Sequence, residues 1–200
     1  MKIRTALCTL ALTGFGFAQS AAAFDQGDWL VRFGASYVDP ESTNHELVSV
    51  DSGTSFTFNF SYFMTPNLSL ELLAAYPFEH DITIDGTKVA STKHLPPTLS
   101  LQYHFMPDSA FQPYIGLGVN YTHFFDEKTY GPLAGADLKL DDSWGLEGQV
   151  GADFMLNDRW FLNVSARYIQ IETKAKLDSN SIGTVDINPW VFSGNVGFRF

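Results

Sequence analysis

Residues 190–200 end the chain as WVFSGNVGFRF, and their side chains alternate strictly between two kinds. One face is apolar with an aromatic residue at each end, and the other carries Ser193, Asn195 and Arg199. A period of two indicates a β-strand whose faces meet different surroundings. Aromatic side chains at both ends of the apolar face suit the two interfaces of a membrane. The stretch predicts a transmembrane strand, because a soluble sandwich strand rarely ends a chain on an exposed Phe.

Seven earlier segments repeat this pattern, which makes eight candidate strands. A slip of one residue would reverse every face, so eight consistent assignments are hard to obtain by chance. The connections alternate in length, as in barrels with short periplasmic turns and longer extracellular loops. We predict an all-β fold: an eight-stranded, antiparallel, up-and-down transmembrane β-barrel in a Gram-negative outer membrane, with both termini periplasmic. The strands cover about 28–38, 54–63, 68–76, 97–105, 113–123, 144–154, 159–169 and 189–200, and the long loops cover 39–53, 77–96, 124–143 and 170–188.

The start of the chain has the three parts of a secretory signal. A basic end precedes an apolar core over residues 6–17, and the small residues Ala21–Ala23 suit a cleavage site. The core is too short to span about 30 Å of hydrocarbon as a helix. We therefore predict a cleaved signal peptide at 1–23 and one barrel domain at 24–200.

Composition excludes several classes of function. Cys8 is the only cysteine and leaves with the signal, so neither a disulfide nor a Cys-based metal site is expected. Loss of Lys2 and Arg4 takes the formal net charge from −10 to −12. A nucleic-acid partner would need a basic face, so none is predicted. Mean hydropathy is near zero, which predicts no helical membrane spans.

Charged side chains concentrate on the faces opposite the apolar ones. Arg32, Glu71, Glu147, Asp153 and Arg199 all fall at predicted inward positions. Buried charges need partners, so these residues predict a polar network in the lumen. An eight-stranded barrel is just wide enough for side chains to fill it. The network can therefore be interpreted as a self-satisfied structural plug or as the lining of an aqueous pore.

The predicted inward faces also carry six glycines and one leucine. The inward glycines leave room and predict some free space, while Leu73 lies beside Glu71 and could narrow that space with an apolar group. The inward glycines are Gly34, Gly116, Gly118, Gly145, Gly151 and Gly197.

Prolines interrupt the predicted seam between the third and fourth strands. Pro77 ends the third strand, and Pro96 and Pro97 begin the fourth. Proline lacks the N–H that a neighbouring strand needs. An unpaired carbonyl costs several kcal/mol in hydrocarbon, so an open seam is tolerated only where water or protein covers it. Either the prolines mark where pairing stops above the membrane, or they hold a lateral opening through which an apolar solute leaves the barrel.

Four stretches resemble the OmpW family of small outer-membrane barrels, and LPPTL is the most specific block among them. The likeness runs through essentially the whole mature chain. It implies an eight-stranded barrel whose narrow, largely hydrophobic channel passes small apolar molecules, with a lateral opening at the paired prolines. The stretches are HLPPTLSLQYHF (94–105), PYIGLGVNYTHFF (113–125), DSWGLEGQVGADF (142–154) and NPWVFSGNVGFRF (188–200).

The same resemblance implies a lumen constriction at Leu73 and Arg167. Leu73 matches a family position that narrows the lumen. Arg167 falls where family members can carry a bulky aromatic residue, and this departure leaves room for a more polar or charged permeant.

Catalysis and metal binding have little support in the sequence. Neither His104 nor His123 has a Ser or an acidic residue placed beside it as in a catalytic triad. His80 with Asp81 and Asp85 could bind a metal, but a lone loop His beside acids is usually solvated. We predict no enzyme, no cofactor and no metal site, and we place His45, His80 and His94 in loops.

The sequence predicts a passive outer-membrane channel for small, predominantly hydrophobic molecules. The alternative is a structural, adhesive or receptor barrel with a plugged lumen whose loops bind external partners. Expected partners are outer-membrane lipid, lipopolysaccharide and small hydrophobic solutes. The barrel-assembly machinery is a further expected partner, through the C-terminal strand that ends in Phe200.

Overall fold

A computed structural model describes residues 24–41, 48–84 and 86–200, without the side chains of residues 48–50. Its central feature is an eight-stranded barrel, as predicted. No helix in this part of the chain is long and apolar enough to span a membrane. The predicted signal peptide at 1–23 lies outside the described residues. The barrel strands are β1 (Trp29–Asp39), β2 (Gly53–Thr65), β3 (Leu68–Ala75), β4 (Thr98–His104), β5 (Phe111–Thr129), β6 (Ser143–Met155), β7 (Trp160–Ile169) and β8 (Trp190–Arg199).

The barrel closes because every strand pairs antiparallel with its neighbour in the chain and β1 also pairs with β8. The closing register runs from the Leu30–Arg199 pair to the Asp39–Trp190 pair. A closed sheet has no free edge, which is a condition for a β-structure in hydrocarbon. The prediction of an eight-stranded antiparallel barrel is confirmed.

Aromatic side chains form two belts on the outer surface, one at each end of the barrel. Near the short turns, the rings of Trp29 and Tyr62 lie 4.9 Å apart between centroids. Near the long loops, those of Tyr121 and Trp144 lie 4.8 Å apart. Such rings suit the interfaces of a bilayer, and the exposed leucines, valines and phenylalanines between the belts suit its core.

The long-loop end is more ordered than the sequence predicted. Phe78–Ile84 and Thr87–Leu95 form a hairpin that continues β3 and β4, and Thr87–Leu95 pairs with the upper part of β5. For this reason β5 reaches Thr129 instead of ending near residue 123. The further strands at this end are Val48–Val50, Leu138–Leu140, Glu172–Leu177 and Asn180–Asp186, and a 3-10 turn spans Gly131–Leu133.

A buried apolar cluster explains this order. Phe78, Phe124, Ile171, Ile187 and Val191 belong to one core that joins the long-loop end to the top of the barrel. Burial of apolar area at about 25 cal/mol per Å² favours paired strands over free loops here. The sequence did not predict these paired strands, because the apolar residues that hold them are scattered among polar ones.

Aromatic rings fill the space beside two of the inward glycines. A Cβ added at Gly151 would meet the ring of Tyr114, and one added at Gly197 would meet the ring of Phe161. Both rings are fully or almost fully buried. The space beside each of these two glycines is therefore occupied by an aromatic ring from another strand.

We expect Gly197→Ala to destabilise the barrel by about 1–3 kcal/mol, since overpacking a filled interior costs that much. The ring of Phe161 cannot yield easily, because it is enclosed by Phe24, Leu30 and Phe63. Gly194→Ala on the same strand is the matched control, since nothing lies within 4 Å of its added Cβ. Urea unfolding in lipid vesicles measures both variants. Equal stability of the two would contradict this account of the packing.

Candidate functional site

The lower lumen contains a chain of buried ion pairs, here called the ion network, formed by Arg32, Glu71, Glu147, Asp153 and Arg167. Arg32 Nη1 donates to Glu71 at 3.0 Å, and Arg32 Nη2 donates to Asp153 at 2.7 Å. Arg167 Nη2 donates to the other oxygen of Glu71 at 2.6 Å, and Arg167 Nη1 lies 3.4 Å from Glu147. All five side chains are fully or almost fully buried. The network therefore crosses the lumen and fills it.

Arg199 is the one predicted member that lies elsewhere. Its Nε is 2.9 Å from Asp28 Oδ2, at the short-turn end of the barrel. The position of Arg199 near the end of β8 places it too far down the wall to reach the other four predicted residues. The lumen network is thus Arg32, Glu71, Glu147 and Asp153 with Arg167 in place of Arg199.

An aromatic cluster closes the barrel below the ion network. Phe24 is fully buried, and its ring lies 4.8 Å from that of Phe63 and 5.7 Å from that of Phe161. The ring of His104 packs against the same group, tilted at 49° to the Phe63 ring with 4.8 Å between centroids. The first described residue thus inserts into the short-turn end, which nothing in the strand pattern predicted.

Above the ion network lies a small apolar cavity, here called the junction cavity. It is lined by Leu73, Phe78, His94, Pro96 and Val191 among others, and holds about 20 Å³. That volume is enough for about one water molecule. Leu73 and Arg167 do not meet at one constriction: Leu73 lines this cavity, whereas Arg167 is held in the network beneath it.

The hairpin ladder between β3 and β4 breaks at the prolines. Pairing stops at Leu73–Thr98 and resumes at Phe78–His94. Four residues, 74–77, therefore face three, 95–97, across an unpaired interval that we call the proline window. Successive residues of a strand point their backbone groups at opposite neighbours, so two adjacent prolines remove a donor on both sides. The mismatch of four against three keeps the two segments out of register.

The carbonyls of the two window prolines are satisfied without a partner on β3. Asn120 Nδ2 donates to the carbonyl of Pro96 at 3.1 Å, and Thr98 Oγ1 donates to the same oxygen at 3.0 Å. The carbonyl of Pro97 accepts the N–H of Tyr121 at 3.0 Å. These bonds remove the penalty of unpaired carbonyls, so the gap can persist near the membrane.

The two prolines face different sides of the wall. Pro96 is buried and lines the junction cavity, whereas Pro97 is exposed and lines a groove of about 480 Å³ on the outer surface. Ala74, Ala75 and Leu95 line the same groove. Two adjacent residues, Pro96 and Pro97, thus line the inner cavity and the outer groove.

A larger cavity, here called the loop pocket, lies at the long-loop end and holds about 200 Å³. Its described lining is mainly aliphatic, with His80, Thr92, His94, Thr173 and Thr184 as the polar side chains. His94 also lines the junction cavity, so this residue lies between the two spaces. The remaining lining residues are Ile82, Ile84, Val89, Ala90, Phe124, Leu133, Leu138, Leu140, Ala175, Ile182, Gly183, Val185 and Ile187.

The two histidines of the loop pocket are buried on strands, although the sequence placed them in loops. Their rings stack 5.0 Å apart with an angle of 13° between planes. Burial, together with the neighbouring His80, lowers the pKa of His94 to about 3. Burial also lowers the pKa of His80, against the opposing effects of the Asp51 carbonyl and nearby acids. Both imidazoles are therefore neutral at pH 7.

A family model described as the OmpW family matches residues 25–200. The chain belongs to the OmpW family. Outer membrane protein W of Vibrio cholerae is 42% identical over 218 residues, which cover 99% of this chain and 100% of that protein. Outer membrane protein W of Escherichia coli is 40% identical over 206 residues, covering 96% and 95%. The crystal structure of the outer membrane protein OprG from Pseudomonas aeruginosa aligns with a TM-score of 0.82 and 37% identity, covering 90% of this chain and 99% of that one.

Membership of the OmpW family confirms the resemblance seen in the four sequence stretches. Together with the closed barrel, it places the chain in the outer membrane of a Gram-negative bacterium. The relatives are outer-membrane barrel proteins, and none of these matches indicates a catalytic family.

Two other histidines of this OmpW-family barrel have a hydroxyl or carboxylate neighbour that the sequence did not predict. His104 packs among aromatic rings with its Nε2 3.2 Å from Ser69 Oγ, and exposed His123 pairs with Asp142 at 2.8 Å. His80 hydrogen-bonds the Asp51 carbonyl at 2.6 Å, while Asp85 and His45 lie outside the described residues. Among the residues described, no group of three or more His, Cys, Asp or Glu side chains could hold a metal ion.

Three residues of this barrel were missed from the sequence. Phe24 precedes the first predicted strand, Asn120 was given no role, and His94 was placed in a loop. Asn120 could have been found because antiparallel pairing of the fourth and fifth predicted strands places it opposite the start of the fourth strand, next to the prolines. His94 could have been found from its place beside the same prolines, but Phe24 carried no pattern of its own.

Proposed function

We propose that the protein is a passive outer-membrane channel for small, predominantly hydrophobic molecules, which leave sideways through the proline window. The long-loop end faces the cell exterior, and both termini of the mature chain, residues 24–200 after loss of the signal 1–23, lie in the periplasm. A solute enters the loop pocket and passes His94 into the junction cavity. It then leaves between Pro96 and Pro97 on one side and Ala74 and Ala75 on the other.

The observation that carries this proposal is the four-against-three break in the ladder between Leu73–Thr98 and Phe78–His94. The break has an apolar cavity on its inner side and an apolar groove on its outer side. The carbonyls of both prolines have partners outside the broken ladder, so the gap is supported by Asn120, Thr98 and Tyr121. An opening of this kind suits solutes that partition into lipid.

The straight route through the barrel axis is a weaker candidate. The ion network and the aromatic cluster around Phe24 fill the lower lumen. A hydrated solute on that route would have to displace paired charges in a low-dielectric interior. Leu73 lines the junction cavity above them. An apolar solute in that cavity would therefore leave through the barrel wall and not along the axis.

Passage requires movement of side chains, because the junction cavity holds about 20 Å³ in this conformation. Phe78 and His94 line that cavity and are the side chains whose displacement would join it to the loop pocket. The remaining proposed partners are lipopolysaccharide and lipid around the barrel, and the barrel-assembly machinery at the strand ending in Phe200.

The direct test is entry of solutes into vesicles that carry the purified protein. The vesicles need lipopolysaccharide in the outer leaflet, because apolar solutes cross plain phospholipid unaided. We expect toluene entry to rise with the number of barrels per vesicle, while glycine entry and ion conductance stay at the protein-free level. Selective glycine entry or conductance would move the path to the ion network, and no entry of any solute would favour a plugged barrel that acts through its loops.

A further inference from the structure

We propose that the loop pocket binds molecules with an apolar body and one uncharged hydrogen-bonding group, and that the His94 imidazole is the anchor for that group. This inference rests on the proposed function and names the class of solute that the channel selects. Phenol is the simplest representative, and toluene is its apolar counterpart with the same number of heavy atoms.

The size and lining of the loop pocket set the apolar part of the ligand. Its volume of about 200 Å³ exceeds the roughly 150 Å³ of an apolar cavity that binds benzene. Ile82, Leu138, Leu140 and Ile187 are among the lining residues and offer dispersion contacts from several strands. A ring or a short aliphatic chain would fill this space.

The lack of charged side chains in the described lining of the loop pocket favours a ligand whose polar group is uncharged. None of the described lining residues is Asp, Glu, Lys or Arg. An ionised ligand would lose its hydration there without gaining an opposite charge. The free energy of desolvating such an unpaired charge is far larger than that of desolvating a neutral polar group. The described lining therefore disfavours ions and zwitterions and suits a single uncharged hydroxyl, carbonyl or similar group.

The hydrogen-bonding capacity of the pocket points to His94. His80 donates through Nδ1 to the Asp51 carbonyl, so its neutral ring keeps only the acceptor Nε2. Thr173 Oγ1 donates to the Asp141 carbonyl at 2.5 Å. Among the described residues the His94 ring contacts Phe78, His80 and Phe124, and its nitrogens make no side-chain hydrogen bond. A neutral imidazole has one donor and one acceptor, so His94 can bind either kind of group.

The position of His94 gives this bond a role in selection. Its ring lines the loop pocket and the junction cavity, so a bound polar group would lie at the boundary between them. A solute held there has its apolar body in the larger space and its polar group nearest the proline window. Molecules without such a group would enter the pocket without this orientation.

His94→Phe is the variant that tests the anchor, because it keeps an aromatic ring against Phe78 and Phe124 and removes both nitrogens. Calorimetric titration in lipid nanodiscs, with protein-free nanodiscs subtracted, compares phenol with toluene. We expect His94→Phe to weaken phenol binding about fivefold, the value of one ordinary neutral hydrogen bond, and to leave toluene binding unchanged. Thr92→Val, which removes another lining hydroxyl without changing shape, should affect neither ligand.

Equal loss of both ligands in His94→Phe, or loss of phenol binding in Thr92→Val, would overturn the assignment to His94. A direct measurement on the unaltered protein avoids reliance on the variant's folding: the side-chain nitrogen resonances of His94 should move on addition of phenol and not of toluene. Absence of that movement also overturns the proposal. Failure of toluene entry in the vesicle assay would instead defeat the channel itself, so the two failures are distinguishable.

Discussion

Replacing both window prolines, Pro96→Val with Pro97→Val, is expected to reduce toluene entry into protein-bearing vesicles to the protein-free level. The double variant returns two N–H donors to β4, one on each side of the strand, so one of them faces the seam with β3. Valine also favours the extended conformation and packs well against neighbouring strands. The ladder that now stops at Leu73–Thr98 would extend upward and close the wall. Amide hydrogen exchange at positions 96 and 97 reports whether the new donors are paired.

Pro113→Val is the matched control for this experiment. Pro113 lies in β5 near the short turns, and its carbonyl accepts the N–H of Phe105 at 3.0 Å, a bond that valine retains. Toluene entry through the control should equal that of the unaltered protein. If entry persists in the double variant while the amides at 96 and 97 are protected from exchange, lateral exit is wrong and an axial route must be sought.

Arg32→Met is expected to have the largest effect on stability, with a loss of about 3–5 kcal/mol in the free energy of unfolding. Arg32 is fully buried and binds Asp153 through Nε at 3.1 Å and Nη2 at 2.7 Å. It also binds Glu71 at 3.0 Å and Ser61 at 2.8 Å. Removal leaves the Asp153 carboxylate buried with Asn163 as its remaining hydrogen-bond donor among the contacts described. The uncompensated charge is the main cost.

The mechanism can be separated from a general loss of packing by a second change. Arg32→Met combined with Asp153→Asn removes the unpaired charge as well as its partner, so it should recover part of the lost stability. Arg159→Met is the surface control, since Arg159 is exposed and the change should cost no more than about 0.5 kcal/mol. Urea unfolding in lipid vesicles, followed by tryptophan fluorescence, measures all three. No recovery in the double variant would show that cavity formation, not charge, dominates.

The same variants bear on the alternative of a polar lumen. If the ion network seals the axis, Arg32→Met should raise ion conductance while the unaltered barrel conducts no ions. A conducting unaltered protein would mean that the paired charges leave a continuous water path. The conductance of Arg32→Met thus reports on the seal independently of the proline window.

Membership of the barrel class was readable from the sequence because strand alternation is a local property. Each side chain faces inward or outward according to its parity, and a run such as 190–200 contains that information without reference to any other part of the chain. The same reasoning correctly assigned Arg32, Glu71, Glu147 and Asp153 to the interior. It also placed the break in pairing at Pro96 and Pro97, because a missing N–H is a property of the residue itself.

Tertiary structure decided which of these residues meet and where space remains. Glu71 and Arg167 are 96 positions apart and touch because β3 and β7 lie across the barrel from one another. Arg199 falls on the inward face in the strand alternation, as the network residues do. It lies nearer the short-turn end than they do, and the alternation alone does not give a side chain's level along the barrel axis. The glycine gaps are closed by Tyr114 and Phe161 from other strands, which no single-strand pattern could predict. His94 lies between two cavities because apolar residues from several connections pack over the barrel mouth, and that packing exists only when the whole chain is folded.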